Sequence, residues 1–254
     1  MRIAVIGASG RIGAAVAEVL KDRGHEVVPI TRGGGVDVHS GAGLAAALRG
    51  VDVVVDAANA ATTETAAVTE FFDTVAHNVQ REAAAAGVRH IVLISIIGID
   101  RFSGGHYAGK LAHERAYLEG PLPVRILRAA QFHEFAGMMI DWTTRGDTAY
   151  IPKVRTQPVA AATVAERLAD LATAETAPAR TEVAGPGALN LVDAAAALIA
   201  RRGGPAHVEE IVDTADPDHE TQAGDALLAG PDTIIAGPTF AEWLDQQYPA
   251  QPAH

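Results

Sequence analysis

The sequence predicts an α/β protein built on a doubly wound parallel sheet, and three observations predict it. Short β-branched runs alternate with amphipathic segments along the first half of the chain. Several of those runs, Val51–Asp56 foremost, are apolar almost throughout, as strands covered on both faces require. The first run passes directly into a glycine-rich turn, Gly7-Ala8-Ser9-Gly10-Arg11-Ile12-Gly13, which opens a helix.

Arg2–Ile6 reads as the first strand and Arg11–Arg23 as the first helix. Glu26–Ile30 is the second strand, closed by Thr31 and a Gly33-Gly34-Gly35 turn. A brief strand at Val36–Val38 precedes a helix from Gly43 to Arg49, and Val51–Asp56 follows as the fourth strand. A long helix from about Ala67 to Ala86 stops at Gly87. Strand Arg89–Ser95, helix His106–Glu119 and strand Val124–Leu127 complete the rhythm. After about residue 130, prolines from Pro152 to Pro238 divide the chain into shorter elements. A single domain over 1–254 is expected, in which about 131–254 contributes a small C-terminal substrate-binding region at the carboxyl edge of the sheet.

Composition narrows the function. A chain of 254 residues that is 48% hydrophobic and 20% charged buries a substantial core, which excludes a disordered or fibrous protein. With no cysteine there is no disulfide, no zinc-thiolate site and no thiol catalysis. A formal net charge of −11 argues against nucleic acid and anionic membrane as partners. The longest strongly apolar stretch, Ile91 to Ile99, is about half of what spans a bilayer. The N-terminus enters a strand at once, so a cytoplasmic protein is expected. No metal is expected: His113-Glu114, His133-Glu134 and His219-Glu220 each begin like a zinc-protease helix, but Tyr117, Gly137 and Ala223 stand where the second histidine belongs. The run Gly104 to Leu111 approaches a phosphate-binding P-loop but ends in a residue with no hydroxyl for magnesium.

The glycine turn carries the strongest signal. Gly7 allows the tight turn, Gly10 lets backbone approach a pyrophosphate, and Gly13 lets helix pack on strand, with Ser9, Arg11 and Ile12 between them. The helix start then offers N–H groups and the positive end of its dipole to the phosphates. An NAD site would place an acid about 20 residues onward to bind the ribose 2′-hydroxyl. Here that position reads Ile30-Thr31-Arg32, and no acid lies between Glu26 and Asp37. Arg32, helped by Arg11 and the Thr31 hydroxyl, suits a 2′-phosphate, so NADP(H) is preferred over NAD(H). Asp37 and Val38 fall where the adenine is edged, and Ala57 and Asn59 follow the fourth strand beside the cofactor path.

With these residues in place, the chain resembles the atypical short-chain dehydrogenase/reductase superfamily, specifically the NmrA-like NAD(P)H-binding proteins. The likeness rests on GASGRIG, the Thr31-Arg32 pair, Leu93 to Asp100, Gly104 to Glu114, Ile126 to Phe135, Thr156 to Ala160 and a late Phe240 to Leu244. It implies a Rossmann domain with a small substrate region. It places Ser95 at the end of the strand that supplies a catalytic serine, and Lys110 on the lysine of a Tyr-x-x-x-Lys pair. In that pair the lysine grips the nicotinamide ribose and lowers the tyrosine pKa for proton transfer.

The chain departs from the pattern four residues before Lys110, where His106 stands and Tyr107 is displaced by one. A helical step turns a side chain by about 100°, so Tyr107 does not simply replace the phenol, although it is an i, i+3 neighbour of Lys110. His106 titrates near neutrality and is itself a candidate donor; the plainer alternative is a solvated histidine and no relay. A Lys110–Glu114 ion pair is the ordinary role for that lysine. Gln131, Phe132 and His133 follow the sixth strand, where a substrate would lie over the nicotinamide.

The expectation is an NADPH-dependent reductase passing hydride to a small apolar carbonyl or enone, with Ser95, His106, Tyr107 and Lys110 as its catalytic residues. The alternative is a non-catalytic NADP(H)-binding redox-sensing regulator of the NmrA-like type, and a third reading is an epimerase or dehydratase with bound NAD(P). Partners are a small-molecule substrate and, through helices at the sheet edge, a second copy of the chain as a homodimer.

Overall fold

A computed structural model describes residues 1–249. Its strands are β1 (Arg2–Ile6), β2 (Glu26–Ile30), β3 (Val53–Asp56), β4 (His90–Ile96), β5 (Val124–Ala129), β6 (Thr144–Arg145), β7 (Thr148–Pro152), β8 (Arg155–Thr156), β9 (Arg180–Ala184), β10 (Leu189–Asn190), β11 (His207–Ile211) and β12 (Ile234–Ile235). The helices are α1 (Arg11–Asp22), α2 (Leu44–Ala47), α3 (Thr65–Ala86), α4 (Gly105–Leu118), α5 (Phe135–Thr143), α6 (Ala161–Thr173), α7 (Leu191–Arg202), α8 (His219–Ala223) and α9 (Phe240–Gln247). A seven-stranded sheet runs in the order β12-β9-β5-β4-β3-β1-β2. It is the Rossmann-type α/β sheet that the alternating pattern predicts. Among the described residues, no helix is long and apolar enough to cross a membrane.

Two compact units divide the chain, residues 1–128 with 164–181, and residues 129–163 with the chain from 182 onward. In the first unit β1 pairs in parallel with β2 and β3, and β3 pairs in parallel with β4. Ile3 to Ile6 and Val53 to Asp56 are buried without interruption, which is why those strands carry apolar residues at successive positions. The chain leaves β1 toward β2 on one side and returns toward β3 on the other, so the direction of winding reverses at β1. Such sheets bind ligands outside the carboxyl end of the strands at this reversal. Leu93, Val79, Ile30 and Tyr117 belong to the same apolar cluster.

Val36–Val38 is no strand. The chain makes a 3-10 turn at Arg32–Gly34, and the Val36 N–H then bonds back to the Thr31 carbonyl at 3.2 Å. Both valines still pack on the core from this loop, so their β-branched side chains report burial rather than strand pairing. The loop after β3 therefore follows the third strand, and residues 131–133 follow the fifth.

In the second unit β7 pairs in parallel with β11 and antiparallel with β6, while β8 and β10 form a separate antiparallel pair. Helices α5 and α7 pack on each other and on β7. Strands of two residues, such as β6, β8 and β10, carry no readable periodicity.

Candidate functional site

The glycine turn is built by close backbone approach. Gly7 sits at φ 73°, and a Cβ there would meet the Ala57 carbonyl oxygen at 2.5 Å. A Cβ on Gly13 would meet the Gly7 oxygen at 2.2 Å. Hydrogen bonds from Gly7 N to the Ile30 oxygen at 3.1 Å and from Gly10 N to the Gly7 oxygen at 2.8 Å hold the turn against β2 and α1. The N-cap of α1 is Gly10, with no side-chain cap and no acid in the first turn. The helix therefore starts with N–H groups at Arg11, Ile12 and Gly13 that its own carbonyls do not reach. Ser9 and Arg11 are exposed beside them.

At the end of β2, Thr31 uses its hydroxyl oxygen to accept the Gly34 N–H at 3.0 Å, and Arg32 stands exposed on that 3-10 turn. The Asp37 carboxylate accepts the His39 N–H at 2.9 Å, a bond that holds it below the usual carboxylate range. Val38 is half-buried, and its carbonyl accepts from the Asn78 side chain at 3.1 Å. After β3, Ala57 donates its N–H to the Ile6 carbonyl at 3.1 Å, and Asn59 is exposed.

Ser95, near the carboxyl end of β4, is 2% exposed, yet its hydroxyl has no hydrogen-bond partner among the described residues. A buried hydroxyl left unpaired costs about 1–3 kcal/mol, so native proteins keep one where a ligand or water satisfies it. Lys110 on α4 is also buried. Its Nζ lies 3.1 Å from His113 Nδ1 and 4.7 Å from the centre of the Phe72 ring. Burial pulls its pKa down to about 8, against the charges of Asp56 and Glu114.

Behind Lys110 lies a sealed polar cluster. His113 Nε2 is 3.2 Å from Asp56 Oδ2, within ion-pair range although not aligned as a hydrogen bond. Asp56 also accepts the Tyr117 hydroxyl at 2.5 Å and the Ala58 N–H at 2.7 Å. Burial and the Lys110 charge push His113 down to about 4, leaving a neutral imidazole. Burial alone would raise Asp56, but the contacts with His113, Lys110 and Tyr117 more than reverse it, to about 2. Tyr117 is raised well above its ordinary value by burial and by the Asp56 charge.

Glu114 is not the partner that helical spacing suggests for Lys110. It accepts from Arg128 at 2.9 and 2.7 Å, and Arg128 also reaches Asp100 at 3.1 Å. A buried guanidinium needs carboxylates on its fork, and this demand outcompetes the i, i+4 pair. His106 and Tyr107 leave α4 in different directions. His106 is half-buried with its edge on Phe72 at 5.7 Å, and burial lowers it to about 4. Tyr107 stacks on Phe102 at 4.1 Å and 23°.

Gln131, Phe132 and His133 line one small pocket of the second unit, together with Thr156, Leu189 and Phe240. The Thr156 hydroxyl donates to Gln131 Oε1 at 2.6 Å. His133 is 1% exposed; its Nε2 lies 3.1 Å from the Pro238 carbonyl, and its Nδ1 has no partner among the described residues. Its ring packs on Phe240 and Trp243 at 5.4 and 5.5 Å. The structure thus brings the three candidate substrate residues together, with His133 also serving the aromatic core.

Sequence reasoning missed Asp56, His113 and Tyr117. Lys110, His113 and Tyr117 fall at i, i+3 and i+7, one face of a helix, and Asp56 closes an otherwise apolar strand. Those two signals together mark a polar group brought deliberately into a core.

A model of the NAD(P)H-binding family matches residues 35–175, more than half of the chain. Among curated proteins, none matches by sequence. By structure, the chain is similar to MoeE5 in complex with UDP-glucose and NAD, with a TM-score of 0.73 and 16% identity over 97% of this chain and 98% of that one. It is similar also to an NADPH-dependent quinone oxidoreductase from Escherichia coli complexed with NADPH, at TM-score 0.68 and 18% identity over 97% and 99%. A triphenylmethane reductase from Citrobacter sp. gives 0.67 and 19% identity over 97% and 99%. At these identities the likeness is one of fold. The close backbone packing at Gly7 and Gly13 and the uncapped start of α1 fit the pyrophosphate of a dinucleotide.

Proposed function

The chain belongs to the NAD(P)H-binding family, and on that premise we propose that it is an NADPH-dependent reductase of a small, largely apolar carbonyl or conjugated enone. One observation carries the reading: the turn at α1, in which Gly7 and Gly13 leave no room for a Cβ, shares a unit with a buried, unpaired serine hydroxyl and a buried lysine. Gly7, Ser9, Gly10, Arg11, Ile12 and Gly13 would hold the pyrophosphate. Thr31 and Arg32 would take the 2′-phosphate, which is why NADP(H) is preferred over NAD(H). Asp37, Val38, Ala57 and Asn59 would border the adenosine and the cofactor path, and Ser95 and Lys110 the nicotinamide half.

When bound, the nicotinamide supplies a hydride. The Ser95 hydroxyl, free of any internal acceptor, orients the substrate oxygen. Lys110 would hold the ribose as a cation. His106 or Tyr107 delivers the proton, and His106 is favoured by its place four residues before Lys110 on the same helix face. Burial keeps that imidazole neutral, so it would act as a relay, taking a proton from water at one ring nitrogen as it gives one to the substrate oxygen from the other. Gln131, Phe132 and His133 would contribute to substrate binding, with the Gln131 side chain already held by the Thr156 hydroxyl. Two proteins of like fold are by name reductases of conjugated acceptors, a quinone and a triphenylmethane dye, which supports this substrate class.

NADPH deuterated at its transferable position, mixed with the protein and a small-molecule extract, tests the reading by mass spectrometry. A product heavier by one mass unit is expected and names the substrate. No labelled product, with tight NADPH binding shown in parallel, would instead assign a redox-sensing regulator, the reading that the absence of tyrosine at position 106 favours.

A further inference from the structure

A lysine ammonium has three donors and no lone pair, so burying it calls for acceptors close at hand. Around Lys110 both nearby carboxylates are engaged elsewhere. Glu114, on the same helix, is taken by Arg128 of β5, which Asp100 of the 3-10 turn at 99–101 also binds. Asp56 of β3 is taken by the Tyr117 hydroxyl and the Ala58 N–H. From α3 the lysine meets the face of Phe72 rather than a charge, and His106 on α4 is neutral. The acceptor that remains is His113 Nδ1, at 3.1 Å.

An imidazole accepts at Nδ1 only when its proton sits on Nε2. The group facing Nε2 is Asp56 Oδ2 at 3.2 Å, an ionised carboxylate that favours that tautomer. Lys110, His113, Asp56 and Tyr117 are 4%, 0%, 0% and 0% exposed, so water does not compete for any of these contacts. We infer that His113, biased toward its Nε2–H tautomer by the Asp56 charge at 3.2 Å, is the positioning residue for Lys110, placing the ammonium and holding it charged inside a sealed helix interface. The catalytic consequence rests on the reading of Lys110 given above, whereas the positioning is a property of the protein alone. Lys110 is then a cation with a neutral partner. Burial brings its loss of the proton down to about pH 8.

The chain contains only three lysines, Lys21, Lys110 and Lys153, so lysine-labelled protein gives three side-chain carbon signals, with the two surface lysines as internal references. Titrated without dinucleotide, Lys110 is expected to lose its proton near pH 8. His113→Leu should lower the midpoint further, by about one pH unit. His113→Gln, whose amide both accepts from the ammonium and donates to Asp56, should restore it. A space-filling histidine predicts the reverse order, with leucine the better tolerated. Equal midpoints in wild type, His113→Leu and His113→Gln would overturn the inference. Where the variants fail to fold, the nitrogen shifts of His113 in the wild-type protein decide. At pH 7 a bare Nδ1 and a protonated Nε2 are expected, and the opposite tautomer or a doubly protonated ring overturns it. These readouts need no cofactor and no turnover, so they stand or fall separately from the reductase assignment.

Discussion

Two regions of the first unit are made from opposite materials. The turn between β1 and α1 offers backbone N–H groups, keeps Ser9 and Arg11 exposed, and works because Gly7 and Gly13 carry no Cβ. The cluster on α4 offers only side chains, Lys110, His113 and Tyr117 against Asp56, all buried. The turn meets charge with fixed dipoles and the exposed Arg11 cation, at little desolvation cost. The cluster meets charge with partners that water cannot replace. The first arrangement suits holding an anionic ligand that arrives and leaves; the second suits holding one protonation state at one place. The turn should therefore fail on steric change, and the cluster on chemical change.

The largest effect is expected from Gly13→Ala. Its methyl would meet the Gly7 carbonyl at 2.2 Å, and that contact is backbone, which cannot swing aside as a side chain does. Dinucleotide binding, followed by fluorescence titration, should be lost, with destabilisation of roughly 1–3 kcal/mol in urea melts. Wild-type affinity in this variant would break the account of the turn as a close backbone cradle.

Acid should separate the regions next. His90, His106 and His113 are each lowered by burial from 6.5 to about 4. The unfolded chain therefore takes up protons first as pH falls. Stability is complete above about pH 6.5 and drains away toward pH 4, by about 3 kcal/mol for His113 alone. Asp56, held at about 2, is ionised throughout that window; its own contribution is lost only from pH 3.8 downward. Lys110 acts at the other end: lowered from 10.5 to about 8, it makes stability rise with pH across that interval. Urea unfolding at pH 7.5 and 5 measures the acid arm. A flat profile would mean that the histidines are solvated.

The same contrast explains what could be read before the structure. Arg2–Ile6 and the start of α1 were legible to the residue because a buried parallel strand writes a continuous apolar run and a backbone cradle is written as glycines. Glu26–Ile30, an edge strand buried only at Ile30, was legible from its β-branched run before the Thr31 turn. The cluster was missed because its two signals lie far apart in sequence, Asp56 closing β3 and His113 within α4, and neither marks it alone. His113 looked like the start of a zinc helix, and Glu114 like the partner of Lys110; only the fold brings Arg128 to Glu114 and Asp56 to His113. Val36–Val38 misled because burial without pairing uses the same residues as a strand. In the second unit, β6, β8 and β10 are too short to show any period.

His106 and Tyr107 sharpen the comparison within one helix. His106→Phe keeps the aromatic contact with Phe72 and removes the ring proton; turnover should fall by roughly 100-fold. Tyr107→Phe keeps the stack on Phe102 and removes only the hydroxyl, and should lower turnover by less than about 10-fold. The opposite ranking would transfer the donor's role to the phenol.

The smallest effect belongs to Arg32, and its size is informative. Arg32 is exposed, so its attraction for a 2′-phosphate acts through water and is screened by salt. Arg32→Ala should weaken NADPH binding by roughly 10-fold at low ionic strength and leave NADH binding nearly unchanged. The NADPH-to-NADH affinity ratio of the wild-type protein should shrink as salt is raised. The midpoint of Lys110, sealed from solvent with its partners, should not move over the same range. A ratio insensitive to salt would place the 2′-phosphate contact among buried groups rather than on the exposed turn after β2.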